Sequence, residues 1–291
     1  MKNARAWLLA SRPKTLPAAF VPVVVGASLA YAEGAFDLLP TLAAAVCAVL
    51  IQIGTNFTND LYDKLRGADA EDRIGPSRAM NDGLVSERAM RIAVGVTFGA
   101  AFLVGGYLIY IGGLPIFAIG VASILAGAAY TAGPFPLAYR GLGDLFVLLF
   151  FGFVGTMGTY YVNALEFSAL SALAAAPVGA LVTNILVVNN YRDVEQDRRA
   201  GKNTLVVLWG KKFARFEYVG LLGASFLVPL IMFFAYDISA WIFLPYLTLP
   251  FAYKLVTSLF TLSGAPLNRT LELTAKFSLA FGALLSIGIA L

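Results

Sequence analysis

IAVGVTFGAAFLVGGYLIYIGGLPIFAIGVASILAGAAYTAGPFPLAY (92–139) contains no charged residue in 48 positions. A helix that crosses a bilayer needs about 20 apolar residues, so this stretch is long enough for two. Gly112-Gly113-Leu114-Pro115 supplies the turn between them. The same reading applied outward predicts nine spans, at about 15–32, 39–61, 91–111, 115–132, 143–163, 169–191, 217–236, 239–259 and 271–291. The apolar runs are continuous rather than alternating, which disfavours a membrane β-barrel. The chain is 59% apolar and 13% charged. The expected fold is all-α: a polytopic membrane bundle of about nine transmembrane helices, with residues 1–291 as one integral-membrane domain.

Charge placement sets the expected orientation. The connections near 33–38, 112–114, 164–168 and 237–238 hold none of the 21 Lys and Arg residues. The basic side is predicted to face the cytoplasm, with the N-terminus inside and Leu291 outside. The net charge of +4 then reflects topology and anionic lipid rather than nucleic-acid binding. Met1 to Arg5 resembles the basic part of a signal peptide, but Lys14 precedes the first long apolar run and no clear small-residue cleavage site appears, so 15–32 is read as a retained span. The one cysteine, Cys47, excludes an internal disulfide.

The chain has no histidine. That removes His-ligated zinc and haem, Ser-His-Asp catalysis and histidine bases. A metal would rely mainly on oxygen ligands, which suits a hard cation such as Mg2+. Two clusters offer them. Asn56, Asn59, Asp60 and Asp63 fall at offsets 0, 3, 4 and 7 on one helical face, and Asn189, Asp193 and Asp197 at offsets 0, 4 and 8. Four crossings separate the clusters, so both emerge on the same, basic side. A helix C-terminus carries negative partial charge, so acids gathered there call for a counterion. Acids near the membrane are also candidates for function rather than mere helix ends.

Cations and glycines come after each cluster. Arg73 and Arg78 trail the first, and Arg192 and Lys202 lie in and after the second. Acids that gather metal beside cations that can approach phosphate oxygens suit a diphosphate. Arg66, Arg88, Arg91, Lys211, Lys212 and Arg215 read instead as topological charges. Gly99-Ala100-Ala101 and Gly127-Ala128-Ala129 are expected at close helix contacts, and Pro245 and Pro250 at a kink in the eighth span. Leu148-Leu149-Phe150-Phe151 is a candidate tunnel lining.

NFTNDLYDKLRGADAEDRIGPSRA (56–79) and NNYRDVEQDRRAGKNTL (189–205) resemble the two aspartate-rich motifs of the UbiA superfamily of intramembrane prenyltransferases. RPKTLPAA (12–19), YTAGPFPLAYRGLGD (130–144) and the GKNTL ending resemble its menaquinone branch, and the resemblance runs from about residue 5 to 215. It implies a bundle around a central cavity, in which Mg2+ bridges a polyprenyl diphosphate to aspartates of the second and sixth spans. The implied reaction moves the polyprenyl group to 1,4-dihydroxy-2-naphthoate with loss of CO2 and diphosphate. The motifs implicate Asn59, Asp60, Asp63, Asp193 and Asp197 in catalysis, and these with Asn56 and Asn189 as metal ligands. Lys14, Arg73, Arg78, Tyr130, Tyr139, Arg192 and Lys202 are the expected substrate contacts, and Lys14, Arg12 and Arg140 the candidates for the acceptor carboxylate. Two positions depart from the pattern. Gly67 stands where many relatives carry an acid, with Asp69 nearby, and Asp144 stands where Glu is expected after Gly-Leu-Gly.

Alternatives are a prenyltransferase for hydroxybenzoate, homogentisate or haem, or a secondary transporter. A transporter would place its acids near the bilayer midplane, whereas these sit at one interface. A CDP-alcohol phosphotransferase would need an Asp-Gly-x-x-Ala-Arg segment, which is absent.

Overall fold

The computed structural model describes residues 2–68, 74–76 and 78–291, and among them the secondary structure is helical throughout. After a short α1 (Lys2–Ser11) come α2 (Pro17–Ala32), α3 (Leu38–Leu65), α4 (Glu87–Ala129), α5 (Gly143–Ala164), α6 (Ala169–Arg199), α7 (Leu205–Tyr236), α8 (Ala240–Thr261) and α9 (Leu267–Ala290). Seven of these are long and apolar enough to cross a membrane, or eight when the stretch 4–32, bent by 49°, counts as one more.

The ninth expected span is folded into α4. Gly113 has φ 64° and ψ −147°, a conformation open to glycine, and the helix reverses there. A Cβ on Gly127 would strike Thr55, with Phe98 next to it, while Leu108 and Ile116 pack together near Cys47. Positions 98 and 127 are therefore level at one end of the hairpin, and 108 and 116 at the other. The protein is a multi-pass membrane protein.

Helix starts coincide with side-chain caps. Asp37, Ser86, Ser168 and Thr204 each accept a backbone N–H from the first turn of α3, α4, α6 and α7, satisfying donors that have no helical partner. Breaks inside the helices differ from the simple span picture in two places. Gly210 (φ 84°) interrupts α7 shortly after its start and sets residues 205–209 apart from the rest of the helix. The first part of α8, Ala240–Thr248, is a 3-10 helix containing Pro245, and Pro250 opens the α-helical part. Both prolines thus sit at the irregularity expected of them.

The bundle is built around α6. Of its apolar window 72% is buried, against 17% for α3 and for α4, so α6 is enclosed by protein while the others face lipid and cavity. Close approach depends on glycine. A Cβ on Gly179 would lie 2.5 Å from the Leu148 carbonyl oxygen, where a π-helical stretch of α5 (Leu148–Val154) rests on α6. Gly127 plays the expected packing role, whereas Gly99 faces open space.

Candidate functional site

A cavity of about 390 Å³ opens between α2, α3, the α4 hairpin, α5 and α6. From Ala44 to Asp63 it runs along α3 for roughly 28 Å at 1.5 Å per residue. Its deep end is apolar, lined by Leu108, Ile109, Ile116, Ile119 and Val162 among others. The other end holds Asn56, Asn59, Asp63, Arg78, Asn189 and Lys202, and its wall carries Arg12, Tyr130 and Asp144. Of the candidate lining residues on α5, Phe150 and Phe151 face the cavity; Leu149 is exposed.

Asp63 is the electrostatic centre of the polar end. Its carboxylate, 2% exposed, accepts hydrogen bonds from Arg78 at 2.8 Å and the Tyr139 hydroxyl at 2.8 Å, with Lys202 Nζ at 3.6 Å. The Tyr139 ring lies between two cations, Arg66 at 4.9 Å and Lys202 at 5.2 Å. Burial, and then the adjacent Asp63 charge, push the Tyr139 phenol above its usual value, so it remains a donor. Arg78 also donates to the Asn59 carbonyl at 3.2 Å, and the Asn59 side-chain oxygen accepts from Thr131 at 2.9 Å.

The four-residue face of α3 divides. Asn56, Asn59 and Asp63 line the cavity, with Asn56 also donating to the Ser11 carbonyl at 2.9 Å and so tying α1 to α3. Asp60, 1% exposed, turns instead to the 78–85 segment and accepts the Met80 N–H at 3.3 Å. The angular offset of one residue along the helix is enough to move it from cavity to protein interior.

The second cluster divides as well. Asn189 lines the cavity, and so does its neighbour Asn190. Asp193 does not; Arg192 clasps it with two hydrogen bonds, 2.7 and 2.6 Å, and also donates to Asn189 at 2.9 Å and to Asn268 of α9 at 2.7 Å. Asn268 in turn donates to the Ile74 carbonyl, so Arg192 anchors the loop after α3 to α9. Asp197 lies outside the cavity wall, although its carbonyl accepts the Lys202 N–H at 2.8 Å.

The remaining expected contacts differ in where they lie. Lys14 is on the surface, 76% exposed, paired with Glu272 at 3.2 Å. Arg140 is exposed over the Phe135 ring, so among the three candidates for the acceptor carboxylate only Arg12 faces the cavity. Arg73 and Asp69 lie outside the described residues.

The motif glycines and Thr204 have structural explanations. Gly201 (φ 70°) ends α6 and Thr204 caps α7, which leaves Lys202 between them aimed at Asp63. Gly67 (φ 69°) ends α3, a backbone conformation an acidic residue would adopt only with strain. Thr131 and Asn190 are among the polar cavity residues that the sequence reading did not single out. Thr131 sits inside the YTAGPFP segment and Asn190 beside Asn189, and those are the signals that could have found them.

The donors facing the cavity are oxygens and charged nitrogens. Among the described residues no three acidic, His or Cys side chains converge as a metal cage. A hard divalent cation that retains waters and takes phosphate oxygens needs only one or two carboxylates, so Asp63 with Asn59 suits such an ion bound together with a diphosphate.

Comparison with known proteins agrees with this architecture. The chain is 40% identical over 256 residues to the 1,4-dihydroxy-2-naphthoate octaprenyltransferase of Escherichia coli (strain K12), covering 84% of this chain and 82% of the relative. It is 34% identical over 290 residues to the protein of the same name from Bacillus subtilis (strain 168), covering 97% and 91%. In fold it matches a UbiA homolog from Aeropyrum pernix K1 with TM-score 0.69 at 17% identity, covering 92% of this chain and 97% of that one. A UbiA homolog from Archaeoglobus fulgidus, solved bound to DMAPP and Mg2+, matches with TM-score 0.66 at 14% identity, covering 97% and 99%. The UbiA prenyltransferase family model matches residues 19–281, and the chain belongs to that family.

Proposed function

We propose that this protein transfers a polyprenyl group from polyprenyl diphosphate to 1,4-dihydroxy-2-naphthoate, releasing diphosphate and CO2 and forming demethylmenaquinol. The observation that carries this reading is the joining, in one cavity, of a cationic and carboxylate end to a long apolar end, in a chain so similar to proteins named for that reaction. A diphosphate and a polyprenyl chain are joined in the donor in the same way.

In this reading Arg78 and Lys202 move from Asp63 onto the diphosphate oxygens, and the apolar end takes the polyprenyl tail and excludes water from the allylic carbon. Asp63 and Asn59 would hold Mg2+, with Asn56 and Asn189 beside them, Asp193 reaching the site once Arg192 yields, and Asp197 following it on the same face of α6. When bound, the cation neutralises charge that builds on the departing diphosphate. Tyr139 keeps Asp63 oriented, and the Tyr130 face stands beside the reacting carbon. Arg12 receives the acceptor carboxylate. The polar opening faces the cytoplasm, in keeping with the distribution of Lys and Arg, and residues 1–291 act as a single domain.

Purified protein supplied with Mg2+, a polyprenyl diphosphate and 1,4-dihydroxy-2-naphthoate is expected to yield prenylated naphthoquinol and CO2, and to stop when EDTA removes the cation. Turnover of 4-hydroxybenzoate in place of the naphthoate would overturn the acceptor assignment.

A further inference from the structure

Asp144 is a buried acid that the donor-side chemistry leaves unused. It opens α5, is 5% exposed and lines the cavity. Its carboxyl meets its own backbone N–H, and no other side chain among the described residues hydrogen-bonds it. A buried acid with no side-chain partner among the described residues is costly, and sites of this kind are occupied by something that supplies a proton or a positive charge.

Its surroundings narrow the choice. The Tyr130 hydroxyl packs against this wall, 3.1 Å from where a Cβ on Gly143 would stand. Glu217 of α7 is near enough for its charge to oppose that of Asp144, and its own Oε2 is buried and lacks a hydrogen-bond partner among the described residues, so a neighbouring acid offers no compensation. Arg12 lines the same cavity. A ligand that presents an O–H to Asp144 and an anion to Arg12 matches this wall, and a hydroxylated aromatic carboxylate has both groups.

We propose that Asp144 accepts the proton of the acceptor's ring hydroxyl. The inference rests on the aromatic-acceptor reading above. The O–H bond breaks as the Asp144 carboxyl O–H forms, leaving an electron-rich naphtholate. Its ring carbon bonds to the allylic carbon, whose C–O electron pair departs with diphosphate. The bond to the ring carboxylate then breaks, its electron pair returns to the ring and CO2 leaves. Asp144 gives its proton back to the ring oxygen, so the quinol leaves and the carboxylate is restored.

Asp144→Asn is expected to lower kcat by about a hundredfold or more, the usual contribution of a positioned base, while KM for the polyprenyl diphosphate stays unchanged. Its residual rate should climb with pH as the acceptor hydroxyl ionises in solution, a dependence that a packing defect would not create. Asp144→Glu should recover a measurable part of the loss, and thermal melting in detergent reports whether each variant is folded. Full turnover in Asp144→Asn, or a loss with an unaltered pH profile and no recovery in Asp144→Glu, overturns the assignment of Asp144 alone. A wild-type protein that prenylates no hydroxylated aromatic acid overturns the function and this inference together.

Discussion

The two aspartate clusters have similar spacing and opposite surroundings. On α3, Asp63 faces the cavity and gathers Arg78, Lys202 and Tyr139 from three separate segments of the chain. On α6, Asp193 is taken by the residue next to it, Arg192, whose side chain is 1% exposed and does not line the cavity. The first arrangement is loose: long cations from elsewhere can leave Asp63 for a phosphate. The second is a compact bidentate pair, fixed further by Asn189 and Asn268. Two carboxylates that read alike on a helical wheel are therefore placed differently, one at the cavity and one held behind a clasp.

Substitutions can test that contrast. Asp63→Ala is expected to have the largest effect, a loss of turnover of about a thousandfold with the protein still folded, because it removes the centre of the charged end. A loss smaller than about tenfold would remove Asp63 from the reaction. Asp193→Ala should cost less turnover, about a hundredfold. It should also cost more stability, about 3–5 kcal/mol, since a buried Arg192 is left without its charge partner. Equal melting temperatures for the two variants would show that the clasp is not what distinguishes the clusters.

Lys202→Ala should raise KM for the polyprenyl diphosphate about tenfold and leave kcat nearly intact, the effect of losing one charge-assisted phosphate contact. A fall in kcat without a change in KM would place Lys202 on the reacting carbon rather than on the diphosphate. The smallest effect is expected at Lys14. Its pair with Glu272 is solvent-exposed, and exposed pairs contribute little because water screens them. Lys14→Ala should leave acceptor KM within about twofold of wild type; a large rise would return Lys14 to the acceptor site and undo the choice of Arg12.

Much of the bundle could be read from the chain. Long uncharged runs have few outcomes in a bilayer, because every backbone N–H and C=O must be satisfied within the segment. The reversal at Gly113 was legible for the same reason, since a 43-residue helix is too long for one crossing and glycine marks the place to turn. The α3 cluster was half legible. Offsets of three and four residues do place side chains on one face, but a face is broad, and Asp60 falls on the side covered by the 78–85 segment. Lys14 and Arg12, two residues apart around Pro13, could not be separated in the sequence. Arg12 adopts a left-handed backbone (φ 51°) at the bend between α1 and α2, and that bend sends one side chain inward and the other out.

Composition and helical period alone dictate that this chain spans a membrane many times, that its acids collect at one interface, and that its metal chemistry would rest on oxygen. These properties arise within one segment at a time. Which carboxylate meets the cavity, which cation each one keeps, and that Asp144 stands in the wall with no side-chain partner among the described residues emerge only when the helices pack. Those outcomes depend on how α3, α5, α6 and α7 rotate against one another, and that rotation is set by close contacts such as Gly152 against Gly179. No single stretch of sequence contains both sides of such a contact.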